Sequence, residues 1–341
     1  NSVRPYFFIQ NFHPLKNPAI VIPMEFGFSP NQSRATLDLM LKQSATAEEM
    51  GFETIWAHEH HSQGALYPSP ILVLAAIARV TRTVRLGTNM LLLPLYHPMR
   101  VAEDMAMLSL MTEGRALLGV SVGYVEREFR ALGVSLKSRA RRMEQGIPLI
   151  RELWSGNPVT AEGDNFSLQD QILFPLPQIP PPIYVGGLVP AAVRRAARLG
   201  DGFLLSAGTT LEQAGDRIKL YRQNLDKEPD LPVAINRIVQ VVPNRAEKER
   251  VLNLVAPAYL KLYDNWGHQD VQELSDQERL FKETAEAHFI LGEPSECVEK
   301  IHAYREHGVG HVACLMNFGN PPPEIVDRSM RLFAEKVMPQ F

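Results

Sequence analysis

Short apolar runs alternate with amphipathic segments along most of the chain. Apolar runs of this length, bounded by glycine and proline, are typical of strands buried on both faces. The pattern predicts eight strands, at residues 24–28, 53–57, 84–88, 115–122, 182–185, 202–205, 233–242 and 311–316. Between them it predicts helices at residues 34–50, 70–80, 99–111, 190–199 and 211–224. Gly51 ends the first helix, because glycine tolerates the left-handed conformation there.

This alternation predicts an α/β fold with a parallel sheet and helices outside it. The number of strands and the length of 341 residues favour a closed (β/α)8 TIM barrel, spanning 1–341 as one domain, over an open doubly wound sheet. Residues 246–288 exceed what one crossover helix requires, which predicts a helical, charged insertion. Residues 1–20 read as an irregular extension before the first strand.

Composition narrows the choice of partners and compartment. A net charge of −3 with 21% charged residues gives no reason to expect nucleic acid or an acidic membrane surface as a partner. Cys297 and Cys314 lie in no metal-type cluster, and two buried thiols in a reducing compartment fit them. No run reaches the roughly 18 apolar residues of a membrane span. We therefore expect a soluble cytoplasmic protein.

The candidate chemistry lies in His58-Glu59-His60-His61, directly after the second predicted strand. Barrel enzymes assemble their active sites at the carboxyl ends of the strands, where this cluster falls. Alternate strand residues share a face, so His58 and His60 should point one way, and Glu59 and His61 the other. Imidazoles at this position could bind a metal, transfer protons or hydrogen-bond a cofactor, and a purely structural histidine remains an alternative for His58 and His61.

A metal site would need further ligands at the later strand ends. No histidine, carboxylate or thiolate is present at the ends of the fifth, sixth and eighth predicted strands. These ends lie at residues 185–187, 205–207 and 316–318. The four-residue spacing that puts two zinc ligands on one helical face is also missing. We therefore expect no catalytic metal.

The ends of the later strands offer backbone N–H groups instead of metal ligands. Gly186, Gly187 and Leu188 precede a helix that begins near Pro190, and free N–H groups at a helix N-terminus attract phosphate. A tight turn without a ligand explains the two glycines equally well. The fourth strand end, 121–124, adds a hydroxyl, a glycine and an aromatic ring. Together these features suit a planar, phosphorylated cofactor better than a bare metal.

Several motifs, in this order, resemble the bacterial luciferase-like family of flavin-dependent monooxygenases and related oxidoreductases. They lie at residues 59–61, 87–94, 97–104, 114–115, 123–129, 182–187, 292–297, 329–333 and 337–339. The resemblance implies a barrel that binds reduced FMN, supplied by a separate flavin reductase. It also implies reaction with O2 to a C4a-peroxyflavin that oxygenates a small apolar substrate.

The resemblance assigns roles by position. His60 matches the catalytic histidine, and a neutral imidazole can both donate and accept a proton near pH 7. A cis peptide bond is implied between Asn89 and Met90. The implied cofactor contacts are Glu59, Thr88, Asn89, Met90, Ser121, Gly123, Tyr124, Gly186, Gly187 and Leu188. A homodimer is implied through helices 70–80 and 99–111, with Ile71, Leu72, Leu74, Met105, Leu108 and Met111 as compatible apolar residues that core packing explains equally well.

The chain departs from the luciferase pattern around the cofactor phosphate. Ser121 stands at the position of a reactive cysteine, Val122 at that of an arginine, and Leu188-Val189 at that of a glutamate and a serine. The Gly186-Gly187 backbone, or Arg139 or Arg142, must then hold the phosphate. An F420-dependent hydride-transfer enzyme of the same fold is the main alternative. A metal-dependent hydrolase and a non-catalytic flavin-binding protein stand outside this class.

Overall fold

Eleven strands and ten helices form the computed structural model, which describes residues 24–32, 36–61, 68–225, 232–265, 285 and 288–341, with 256–265 described by backbone alone. The strands are β1 (Glu25–Phe28), β2 (Thr54–Ala57), β3 (Arg85–Thr88), β4 (Ala116–Val120), β5 (Val159–Gly163), β6 (Phe166–Gln171), β7 (Ile183–Gly186), β8 (Gly202–Leu205), β9 (Val233–Val241), β10 (Ile290–Gly292) and β11 (His311–Leu315). The helices are α1 (Leu37–Glu49), α2 (Pro70–Ile77), α3 (Pro98–Met111), α4 (Glu126–Ala131), α5 (Arg139–Leu153), α6 (Pro190–Leu199), α7 (Leu211–Gln223), α8 (Arg245–Asn265), α9 (Pro294–Glu306) and α10 (Pro323–Leu332).

Eight of the strands close into a parallel barrel, in the order β1-β2-β3-β4-β7-β8-β9-β11. Pairing of β11 with β1 completes the circle, with His311 opposite Glu25 and Cys314 opposite Phe28. The predicted (β/α)8 barrel is therefore confirmed, and each predicted strand overlaps an observed one. The helix ends follow local chemistry: Gly51 has a φ of 90° after α1, and a capping box of Thr210 and Gln213 begins α7.

The barrel interior is filled around one large side chain. Trp56 is 1% exposed and packs with a small apolar cluster drawn from five other strands. A Cβ on Gly27 or Gly87, on the two neighbouring strands, would overlap the indole ring. The larger apolar core lies between the strands and the surrounding helices. Both cysteines are buried there or beside it, as expected.

Two features were not predicted. An antiparallel hairpin of β5 and β6 follows α5, and β10 pairs with the last part of β9 outside the barrel. The hairpin tip contacts the loop after β3, because the Asn165 Nδ2 donates to the Tyr96 carbonyl over 2.9 Å. Asp164, also at the tip, pairs with Arg141 of α5. The predicted insertion begins within α8, and its residues 266–284 lie outside the described residues, as does the predicted extension 1–20.

A polar network closes the amino end of the barrel. Trp56 donates its indole N–H to His311 Nε2 over 3.1 Å, so the ring proton of His311 is on Nδ1, which lies 3.3 Å from Glu25 Oε2. Arg85 also pairs with Glu25. Burial raises the pKa of Glu25, but its hydrogen bond to His311 and the charge of Arg85 outweigh that and hold it at about 2. The predicted functional site lies at the opposite end of the barrel, around the carboxyl ends of the strands, which we call the mouth.

Candidate active site

His58 lies inside the barrel rim. Its ring Nε2 is 2.9 Å from the Ser29 hydroxyl, and its backbone exchanges two hydrogen bonds with the Gln32 amide, at 2.7 and 3.1 Å. Burial, and then the neighbouring His60, lower the pKa of His58 to about 4. This imidazole is therefore neutral at pH 7 and holds the loop after β1 against the loop after β2.

Glu59 points the other way, as the strand alternation predicts. Its buried carboxylate accepts hydrogen bonds from the Leu92 N–H at 2.7 Å, the Tyr96 hydroxyl at 2.6 Å and His61 Nε2 at 2.6 Å. The bond to Glu59 raises the pKa of His61, and burial with the Glu59 charge raises that of Tyr96. Glu59 thus anchors the loop after β3, and its carboxylate is committed to protein donors.

His60 faces the mouth, with 25% of its side chain exposed. Its Nδ1 is buried and lies 3.5 Å from Glu128 Oε1 on α4. The same oxygen accepts the His61 N–H over 3.0 Å. The sequence interpretation missed Glu128, although the buried Phe129 beside it on a short amphipathic helix was a signal that this face turns inward.

The end of β3 carries three of the predicted contacts. The Thr88 hydroxyl donates to the Gly119 carbonyl at 2.7 Å and accepts the Gly119 N–H at 2.9 Å, so it ties β3 to β4. Asn89 exchanges side-chain hydrogen bonds with Asn236 across the barrel, at 2.6 and 3.0 Å. The peptide bond between Asn89 and Met90 is cis, as the resemblance implied. Met90 is half-buried in the interior.

The ends of β4 and β7 complete the floor of the mouth. Ser121 donates its N–H to the Leu91 carbonyl at 3.0 Å, and Gly123 has a φ of 70° where a Cβ would meet the Phe129 ring. Tyr124 is half exposed, and burial together with Glu128 raises the pKa of its phenol. At the end of β7, a Cβ on Gly186 would overlap the Met90 sulfur. The absence of a side chain at Gly186 therefore leaves space for the Met90 side chain.

The predicted phosphate region lies where β7 meets α6. A Cβ on Gly187 would come within 2.5 Å of the Ala192 Cβ, so the chain can turn tightly into the helix only with glycine. Leu188 is 47% exposed, and its carbonyl accepts from Arg217 Nε at 2.7 Å. In the first turn of α6, Pro190 has no N–H and Ala192 donates to the Val189 carbonyl at 2.8 Å, so this helix end offers an anion fewer donors than a regular N-terminus.

Arg139 and Arg142 lie in the first turn of α5, next to α6. Glu144 pairs with Arg195 at 2.8 Å, which shows that the two helices run side by side. Arg139 Nη1 donates to the Leu136 carbonyl at 2.9 Å. Arg142 Nε is buried and makes no hydrogen bond within the described part of the chain, and burial lowers the pKa of this guanidinium. Arg142 is the better placed of the two to bind an anion.

Arg237 on β9 is a second residue that the sequence interpretation missed. It is fully buried, and its guanidinium donates to the carbonyls of Ser206, Ala207 and Thr209 at 2.5–3.3 Å. It also donates to the Tyr304 hydroxyl at 2.8 Å and lies over that ring. Arg237 therefore fixes the loop after β8 at the rim. A single arginine within an apolar strand carries no sequence signal for this role.

Two features are absent from the residues that the structure describes: a metal site and a membrane-spanning helix. Across these ranges, no group of three or more His, Cys, Asp or Glu side chains is arranged to hold a metal ion. Within the same ranges, no helix is both long and apolar enough to cross a membrane.

Comparison with known proteins identifies the family. The family model described as luciferase-like monooxygenase matches residues 18–311. The chain belongs to this family. It is thus an oxidoreductase of the luciferase-like type, with the barrel that its resemblance implied.

Relatives of this luciferase-like protein differ in their chemistry. It is 30% identical to the F420-dependent glucose-6-phosphate dehydrogenase of Beutenbergia cavernae, over 88% of this chain and 92% of the relative. It is 28% identical to the enzyme of the same name from Nakamurella multipartita, over 93% and 96%. Among solved structures, monooxygenase RslO1 from Streptomyces bottropensis is similar at 26% identity and a TM-score of 0.78, covering 93% and 99%.

Proposed function

We propose that this protein is an F420-dependent oxidoreductase that transfers a hydride between a hydroxyl-bearing carbon of its substrate and the cofactor. The observation that carries the proposal is its similarity, at 28–30% identity over about nine-tenths of each chain, to curated relatives named as F420-dependent dehydrogenases. The main expectation from the sequence, an FMN-dependent monooxygenase, is less well supported by these relatives.

The residues at the mouth fit a planar, phosphorylated cofactor. Gly186 leaves space for the Met90 side chain, which follows the cis peptide at Asn89 and could pack against a flat ring. The N-terminus of α6 and the unpaired Nε of Arg142 supply groups for a phosphate, although Val122 offers no charge. F420, when bound, would accept a hydride on its deazaflavin ring.

His60 supplies the proton chemistry in this proposal. A hydroxyl-bearing carbon that gives up a hydride must also lose the hydroxyl proton, which leaves a carbonyl product. The imidazole of His60 is a suitable base near pH 7, and its ring reaches the mouth from the end of β2. Because the relatives are named for glucose 6-phosphate, a sugar phosphate is the first substrate to test.

Cofactor titration followed by a turnover assay tests the proposal. Purified protein should bind F420, and a panel of sugar phosphates and secondary alcohols should contain a substrate that bleaches the oxidised cofactor. His60→Gln should keep its affinity for F420 and lose about 100-fold or more in kcat. His302→Gln, a change distant from the mouth, is the control and should turn over normally. Binding of FMN in preference to F420 would contradict the proposal.

An FMN-dependent monooxygenase is the second candidate, because the solved monooxygenase RslO1 is 26% identical over 93% of this chain. It requires O2 and a partner reductase that supplies reduced FMN. In that case the protein should bind reduced FMN and consume O2 once an apolar organic substrate is added. Failure to bind either cofactor would exclude both candidates, whereas binding of FMN without any turnover would leave the non-catalytic flavin-binding protein.

A further inference from the structure

Glu128 is the buried carboxylate that faces the catalytic histidine. It is 1% exposed and lies on α4, sixty-eight residues along the chain from His60. Its Oε1 accepts the His61 N–H over 3.0 Å and lies 3.5 Å from His60 Nδ1. The backbone bond fixes the carboxylate beside the imidazole, so its position does not depend on the state of the ring.

We propose that Glu128 is a positioning residue that holds the His60 imidazole with its hydrogen on Nδ1 and leaves Nε2 as the proton acceptor at the mouth. His60 Nδ1 is buried, makes no hydrogen bond within the described residues and faces Glu128 Oε1 at 3.5 Å. Because an ionised carboxylate can only accept hydrogen bonds, a hydrogen on Nδ1 is the one that this oxygen would favour. The tautomer of a histidine is set by the partner of its other nitrogen. The proposal deepens the proposed function and rests on it for the identity of the reaction.

The other ionisable groups around His60 do not take over this role. Glu59 gives its carboxylate to Leu92, Tyr96 and His61. His58 is neutral at pH 7, because burial and then the neighbouring His60 lower its pKa to about 4. The phenol of Tyr124, across the mouth, stays protonated at neutral pH because burial raises its pKa.

The pair also explains how the reaction would be completed. In the forward direction His60 Nε2 would take the proton of the substrate hydroxyl, bound F420 would supply the hydride acceptor for its carbon, and the product would be a carbonyl. The imidazolium that results carries a hydrogen on both nitrogens, and the Glu128 carboxylate stabilises its Nδ1 side. In the reverse direction Nε2 returns the proton to the carbonyl oxygen.

Nitrogen-15 NMR of selectively labelled histidines tests the tautomer without any cofactor. The wild-type His60, assigned with His60→Gln, should carry its hydrogen on Nδ1. Glu128→Gln should shift the ring toward the Nε2–H form, because the charge that favours a hydrogen on Nδ1 is lost. Glu126→Gln, the same change at an exposed position of α4, should leave the tautomer unchanged.

Kinetics provide the second measurement. Glu128→Gln should lower kcat by about 10- to 100-fold and leave the affinity for F420 nearly unchanged. Glu128→Asp, which keeps the charge, should restore the Nδ1–H tautomer and guards against misfolding of the Gln variant. An Nε2–H tautomer in the wild type, or a Glu128→Gln protein that matches Glu126→Gln, would overturn the proposal. The predicted tautomer without F420 turnover would instead contradict the proposed function.

Discussion

Four consecutive residues at the end of β2 occupy four different environments. His58 is neutral inside the rim, Glu59 is buried against the next loop, His60 faces the mouth, and His61 pairs with Glu59. The alternation of side chains at the end of a strand sends neighbours to opposite faces. A sequence cluster that suggests a metal site is therefore divided among one histidine at the mouth, an anchoring carboxylate and two supporting histidines.

At the residue scale, Glu25 should make stability depend on pH. Its folded pKa of about 2 lies below the ordinary 4.5, so its contribution is complete above pH 4.5 and is lost as pH falls toward 2. Because the side chain is 41% exposed, solvent screening reduces the effect to about 1 kcal/mol. Glu25→Gln should lower the free energy of unfolding by that amount at neutral pH, and the difference should shrink in acid.

Glu53 is the matched control for this prediction. Burial raises its pKa, so ionisation of Glu53 opposes folding as pH rises. Glu53→Gln should therefore show the opposite pH dependence in urea unfolding measured at several pH values. A constant difference between wild type and Glu25→Gln across the acid range would contradict the expected role of the Glu25–His311–Arg85 network.

At the scale of elements, the barrel interior depends on glycines beside Trp56. A Cβ on Gly87 of β3 would lie 2.5 Å from the indole ring, which is held on all sides. Gly87→Ala should therefore destabilise the protein by about 1–3 kcal/mol through overpacking. Chemical denaturation measures the change.

Gly146 in α5 provides the contrasting case. A Cβ there would make ordinary contacts with Leu93 and Pro98 at 3.5–3.6 Å, and alanine favours a helix. Gly146→Ala should be neutral or stabilise by up to about 1 kcal/mol. If Gly87→Ala and Gly146→Ala changed the free energy of unfolding equally, overlap with the indole ring would not explain the glycine at position 87.

The strands of the barrel were predictable because each is a continuous apolar run. The hairpin of β5 and β6 was not, because its strand Phe166–Gln171 buries only Phe166 and Leu168 and its last three residues are polar and exposed, which is too short an alternation to indicate a strand. The short β10 has three residues, too few for a periodic signal. Its pairing depends on β9 extending beyond the barrel, which only the register shows.

At the scale of the whole molecule, we propose that α2 and α3 form a homodimer surface. The six apolar residues named from the sequence separate into two groups. Leu74, Met105 and Leu108 are buried in the core, whereas Leu72 is 70% and Met111 50% exposed, with Ile71 between these extremes. Met107 and Leu110 add exposed apolar area on α3.

Light scattering should therefore give a dimer for the wild type and a monomer for Leu72→Glu combined with Met111→Glu. A charge at an apolar interface is costly to bury, so association should be lost while the fold remains. Leu37→Glu, which changes a 49% exposed leucine on α1, should remain dimeric. A monomeric wild type would exclude this surface.

The sequence by itself determined the barrel, the end at which its active site lies, and His60 as the residue to consider first. These follow from local signals: apolar runs, glycines at turns and the position of polar residues after a strand. Only the tertiary structure decided the partners, namely Glu128 beside His60, Tyr96 on Glu59, and Arg237 beneath the loop after β8. Each pair joins residues about 30 to 70 positions apart, and periodicity carries no information on contacts at that separation. Folding sets those distances, and with them which nitrogen of His60 faces Glu128.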